Sequence, residues 1–99
     1  MAVDQTFNPS YGRGVTVAPA TTSASTVIGA GSKSLCLTNL GTAVCYVRTG
    51  PAGTVATAAD YPVPVGAQVS ITKFQDDTTV AHITTAGTGS LHIIPGEGF

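Results

Sequence analysis

Charge is scarce in this sequence. Only 9% of its 99 residues are charged, four Lys or Arg against five Asp or Glu, for a formal net charge of −1. A protein that grips a nucleic-acid backbone neutralises several phosphates with clustered cations. Four scattered bases supply no such patch, so nucleic acid is not an expected partner. Tryptophan is absent, and three Tyr with three Phe are the only aromatics, which leaves little for a platform that stacks on sugars or bases. No apolar run approaches the roughly 18 residues of a membrane span, and residues 1–10 lack the basic start and hydrophobic stretch of a signal peptide. No membrane partner is expected, and the chain reads as made and used in the cytosol, or assembled there into something larger. Cysteine is limited to Cys36 and Cys45, without the C-x-x-C spacing of a redox or zinc motif. In a reducing cytosol such residues serve as small buried hydrophobes, although opposed strand positions would bring the two within bridging range.

Catalytic signatures are equally thin. There is no G-x-S-x-G elbow, and no nucleophile, base and orienting group can be assembled with any specificity from two histidines and five acids. Asp4, Asp60, Asp76, Asp77 and Glu97 sit mostly in turn or terminal contexts rather than as a paired-carboxylate site. His82 and His92 would supply two metal ligands where zinc sites take three or four. The glycine run 29–34 lacks the spacing of a phosphate-binding loop and leads into a strand-like segment rather than a helix, so it reads as a turn. From these absences the chain is expected to be no enzyme, with no catalytic residue, no metal and no cofactor.

What the sequence does contain is 42% hydrophobic residues, 12 Gly, 6 Pro and 16 Thr. That is one small domain of β-leaning, turn-rich composition. A chain of this size hides only about 60–65% of its extended surface on folding, so its core is thin and contact with neighbours would add a useful share of stability. Short β-branched runs recur at 14–18, 26–28, 34–39, 42–49, 54–57, 67–74, 79–85 and 90–95, bounded by Gly, Pro, Asn, Asp or Ser. Nowhere do apolar residues hold a 3.6-residue period for three turns. The expected fold is all-β, a small antiparallel β-sandwich or jelly-roll-like barrel of about seven or eight short strands without substantial helix. Pro62 and Pro64 lack the N–H that a central strand needs, so 60–66 should form an exposed corner or an edge.

Two hairpins follow from local turn signals. A turn centred between Leu40 and Gly41 sets Cys36 opposite Cys45, Leu37 opposite Val44 and Leu35 opposite Tyr46. That pair is apolar on both faces, as in a sheet covered on each side. Around 86–89, an odd-length loop of three or five residues sets His82 opposite His92 and Ile83 opposite Leu91, whereas a two- or four-residue loop sets the histidines on opposite faces; 75–78 forms a third turn through its Asp side chains. Residues 1–14 read as an N-terminal arm ahead of a single domain at 15–99. The arm carries Phe7 and Tyr11, large side chains that a purely solvated tail would lack, so it is expected to lie on its own domain or on a neighbour. Phe99 follows a Gly-x-Gly lead, which lets it fold back or enter a neighbour's pocket. Phe7, Tyr11 and Phe99 are the candidate partner-binding residues.

The runs SLCLTNLGTAVCYVR at 34–48, DYPVPVG at 60–66 and IPGEGF at 94–99 resemble small β-rich structural proteins of tailed bacteriophages, over about residues 15–99. Within that group the chain looks most like a capsid decoration, or cement, protein. The resemblance implies a β-sandwich that binds the major capsid protein on the outside of the shell, stabilises it, and associates with copies of itself, a trimer being one such assembly. Its implied location is the capsid surface of the virion. A tail or fibre component, and a receptor- or glycan-binding β module, are the alternatives.

Overall fold

The computed structural model describes residues 8–29, 31–74 and 76–97. Among them are nine strands: β1 (Asn8–Pro9), β2 (Val15–Val17), β3 (Ala24–Val27), β4 (Ser34–Asn39), β5 (Cys45–Gly50), β6 (Tyr61–Val63), β7 (Gln68–Thr72), β8 (Thr79–Thr84) and β9 (Leu91–Glu97). No described residue is helical. One sheet runs β1-β9-β4-β7, with β2 also pairing β9, and the other runs β3-β8-β5-β6. Setting the two-residue β1 aside leaves eight strands in orders 2-9-4-7 and 3-8-5-6. All pairings are antiparallel. This is the two-sheet jelly roll, and the expected all-β sandwich is the fold observed.

The core lies between the sheets. Alternation puts Leu35 and Leu37 of β4 and Leu91 and Ile93 of β9 on the inner side of one sheet, facing Cys45, Val47, Val63 and Val80 of the other, all buried. Val15, Val17, Val69 and Ile71 close the cluster from the edge strands. Fully burying such a side chain contributes about 1.5–3 kcal/mol.

Both expected hairpins are corrected. β4 and β5 belong to different sheets, as do β8 and β9. Cys36 pairs with Ser70 and Ile94, whereas Cys45 pairs with Val63 and Thr84, and both thiols are free. The reason lies in Asn39. Its buried amide Nδ2 donates to the carbonyls of Ala43 at 2.8 Å and Val63 at 2.9 Å, and its Oδ1 accepts from the N–H of Gly41 at 3.0 Å. These bonds bend the chain out of one sheet and hand it to the other. Gly41 cannot be larger at this bend, because a Cβ there would lie 2.6 Å from the N of Ser90.

The segment 54–57, read as a strand, is instead part of the 51–60 loop on the outer side of the four-stranded sheet. Its anchor is Ala56, which is buried and whose N–H donates to Ser23 Oγ at 2.9 Å. A strand does form at Tyr61–Val63, and it takes the edge, the position that a proline allows. The connection from β7 to β8 joins two sheets rather than two paired strands, which corrects the hairpin expected there. Lys73 holds it, with Nζ donating to the carbonyls of Phe74 at 3.2 Å and Asp77 at 2.9 Å.

Candidate functional site

Of the three residues expected to meet a partner, Phe7 and Phe99 lie outside the described residues. Tyr11 is 85% exposed, in the connection between β1 and β2. The end of the arm is stitched to its own domain: Asn8 pairs with Glu97, Pro9 with Gly96, and the N–H of Ser10 donates to the carbonyl of Pro95.

The two histidines part company. His82 points into the core from β8, opposite Val47 on one side and Ala24 on the other. It is 3% exposed, and neither ring nitrogen meets a hydrogen-bond partner among the described residues. Burial pushes its pKa below the ordinary histidine value. His92 points outward from β9, its Nδ1 3.1 Å from Thr16 Oγ1. The two rings therefore lie in different sheets and share no site. Among the described residues, no group of three or more His, Cys, Asp or Glu comes together as metal ligands.

Two concavities flank the sandwich. A cleft of about 300 Å³ is lined by Thr49, Thr72, Lys73, Phe74 and Asp77. Its charges are already engaged, Lys73 by the two turn carbonyls and Asp77 Oδ2 by the hydroxyl of Thr49 at 3.2 Å. Burial lowers the Lys73 pKa, against the opposing pull of Asp77 and Glu97. A shallower groove of about 550 Å³ lies between the start of β3 and the 51–60 loop, where hydroxyls of Thr22, Ser23, Ser25 and Thr54 surround Val55 and Ile83. No ionisable side chain lines it.

A further surface feature is the outward face of the β2-β9-β4-β7 sheet. Register sets Thr16, His92, Thr38 and Gln68 in one row, Ile94, Cys36 and Ser70 in the next, and Gly96, Ser34 and Thr72 in the third; Cys36, Ser34 and Gly96 are buried, so what solvent meets is Thr16, Gln68, Ser70 and Thr72 with the half-buried His92, Thr38 and Ile94. Gln68 Nε2 donates to Thr38 Oγ1 at 3.3 Å, which with the Thr16–His92 contact ties the first row together. None of these ten positions is Asp, Glu, Lys or Arg. Alternation within each strand could have found this face from sequence, but only with strand order in hand.

Jelly rolls serve viral capsid proteins, lectins and cupins alike, so the architecture defines a structural class and leaves chemistry to the surface. No family model matches the sequence, and no curated protein matches it either. Among solved structures, the chain is similar to hydroxypropylphosphonic acid epoxidase from S. wedmorenis, determined in complex with fosfomycin. The TM-score is 0.52 at 14% identity, over 83% of this chain. The chain spans 42% of that protein's length. At this identity the likeness speaks to the fold alone. It does correct the expectation that the chain is no enzyme: an enzyme is built on the same architecture, so the lack of a recognisable catalytic motif in 99 residues is no argument against catalysis.

Proposed function

We propose that the protein is a virion structural protein of a tailed phage. It decorates the capsid shell by laying the outward face of the β2-β9-β4-β7 sheet on the major capsid protein. The observation that carries this reading is the composition of the accessible part of that face: Thr16, His92, Thr38, Gln68, Ile94, Ser70 and Thr72 include no Asp, Glu, Lys or Arg. Docking such a face leaves no ion to be stripped of water, and desolvated charges are what flat protein contacts tolerate least. The sequence resemblance to capsid cement proteins supports the same reading. A subunit present in many copies needs only a modest contact at each position to bind an assembled lattice.

Purified protein mixed with undecorated shells should co-sediment at many copies per particle and raise the temperature at which the shells come apart, since a ligand of the assembled state stabilises it by mass action. Thr16→Lys with Thr38→Lys, two positions in the first row of the face, should abolish sedimentation while the far-ultraviolet spectrum stays unchanged. Recovery of only a few copies per particle points to a tail or fibre station. Absence of binding, or binding indifferent to the two lysines, overturns the reading.

A further inference from the structure

We infer that β7 is a self-association edge, along which two copies of the chain join antiparallel about a two-fold axis at Ser70. Among the described residues, strand β7 (Gln68–Thr72) ends its sheet, with β4 as its one neighbour. Which of its backbone groups are free follows from the bonds at its two ends. The N–H of Asn39 donates to the carbonyl of Ala67, and the N–H of Lys73 donates to the carbonyl of Lys33. In an antiparallel ladder the direction of the backbone groups alternates. Residues 67, 69, 71 and 73 therefore turn theirs toward β4, and Gln68, Ser70 and Thr72 turn theirs away.

Proteins usually protect such an edge with a charge, a proline or a bulge. On the opposite sheet, β6 carries Pro62 at its edge position. By contrast QVSIT has neither proline nor charge, and Gln68, Ser70 and Thr72 are all exposed.

A second copy is the occupant that this edge fits, because the strand complements itself. Antiparallel pairing with Ser70 on Ser70 also sets Gln68 on Thr72 and Thr72 on Gln68. Three residue pairs then exchange their hydrogen bonds and use every free group on the edge. The same register carries Phe74 of one copy to Gly66 of the other. Phe74 is 81% exposed and Val65, beside Gly66, is 51% exposed. Gly66 sits at φ +75° in a turn closed by Ala67 N–H on the carbonyl of Pro64, and it offers no side chain to keep the ring away. A ring laid over a facing glycine is a known stabiliser of strand pairs. Two-fold symmetry makes this contact twice, covering Phe74 and Val65 of both copies. Directly paired residues share a sheet face, so the dimer also merges two uncharged faces into one. This self-association is independent of shell binding and is measured without shells.

Sedimentation velocity over a concentration series should show a reversible monomer–dimer equilibrium. Ser70→Pro removes an N–H that points away from the domain, so the fold should persist while the dimer is lost. Phe74→Lys, at an exposed position with no fold to disturb, should weaken the dimer at least about tenfold. Register is tested by Ser70→Cys in a Cys36→Ser background. Paired residues about 5.5 Å apart fall within disulfide range, so mild oxidation should link two chains, whereas Thr16→Cys in the same background should not. A chain that stays monomeric at every concentration overturns the inference. So does a trimer, or a dimer that survives both Ser70→Pro and Phe74→Lys.

Discussion

An imidazole inside an aliphatic core has one tolerable state. With no partner for either nitrogen of His82 among the described residues, the neutral ring leaves polar atoms unpaired, and the protonated ring would be a bare charge. Above the ordinary value of 6.5 the ring is neutral in both the folded and the unfolded chain and contributes no pH dependence. As pH falls through 6.5 the unfolded chain takes up the proton and the folded chain resists. Stability should therefore decline until the lowered folded pKa is reached. Asp60 behaves oppositely in origin and lies in a separate window. Burial raises its pKa, but hydrogen bonds from Thr57 and Arg48 and the Arg48 charge outweigh this and hold it below 3.8. Its contribution is present above 3.8 and is lost as pH falls below that. Thermal melts between about pH 7.5 and pH 5 should show a falling Tm in the parent and a flat one in His82→Leu, with the variant within about 1 kcal/mol of the parent at neutral pH. A parent that melts at one temperature across this range would show that His82 protonates without cost.

Asn39 is the reverse case, a buried polar side chain with partners for both amide ends. Asn39→Ala strands the carbonyl of Val63 and the N–H of Gly41 in or near the core, each at about 1–3 kcal/mol. For a domain with a thin core that is a large share of the total. The expected outcome in urea is a lower midpoint by several kcal/mol of stability with little change in slope.

At the scale of elements, the 51–60 loop shows which of two interactions at one carboxylate matters more. Asp60 Oδ1 meets Arg48 Nη2 at 2.7 Å, but the Arg48 side chain is 52% exposed, and exposed ion pairs contribute about 0–1 kcal/mol. Asp60 Oδ2 accepts the N–H of Thr57 at 2.7 Å, closing the turn that lets Ala56 seat on the sheet. Arg48→Met should therefore cost under about 1 kcal/mol, and Asp60→Ala clearly more. Equal losses in chemical denaturation would mean that the ion pair carries the loop. The sequence placed seven of the nine strands within a few residues, because β-branched runs bounded by turn formers mark strands locally. Its hairpins failed for a physical reason. Alternation says which side chains face a core, not which sheet a strand joins, and the bond that turns the chain at Asn39 reaches Val63, 24 residues away.

For the whole molecule, the decisive fact is that β2 through β5 and β6 through β9 change sheet at each step. The uncharged face was invisible in one dimension for that reason, since its rows join residues from β2, β9, β4 and β7. Scarcity of charge was plain in the composition; its clearance from the accessible part of one sheet face was not. The placement has a consequence for shell binding. Charges steer encounters and make association depend on salt, with exposed pairs screened over about 10 Å at 0.1 M. A contact made by Thr16, Thr38, His92 and Ser70 has no such pairs to screen. Co-sedimentation with shells should then change less than about threefold between 50 mM and 500 mM salt at neutral pH, where a contact built on several ion pairs would lose far more. A steep loss across that range would move the interface to the ends of the sandwich, where Arg13, Lys33, Asp76 and Glu97 lie, and away from the sheet face.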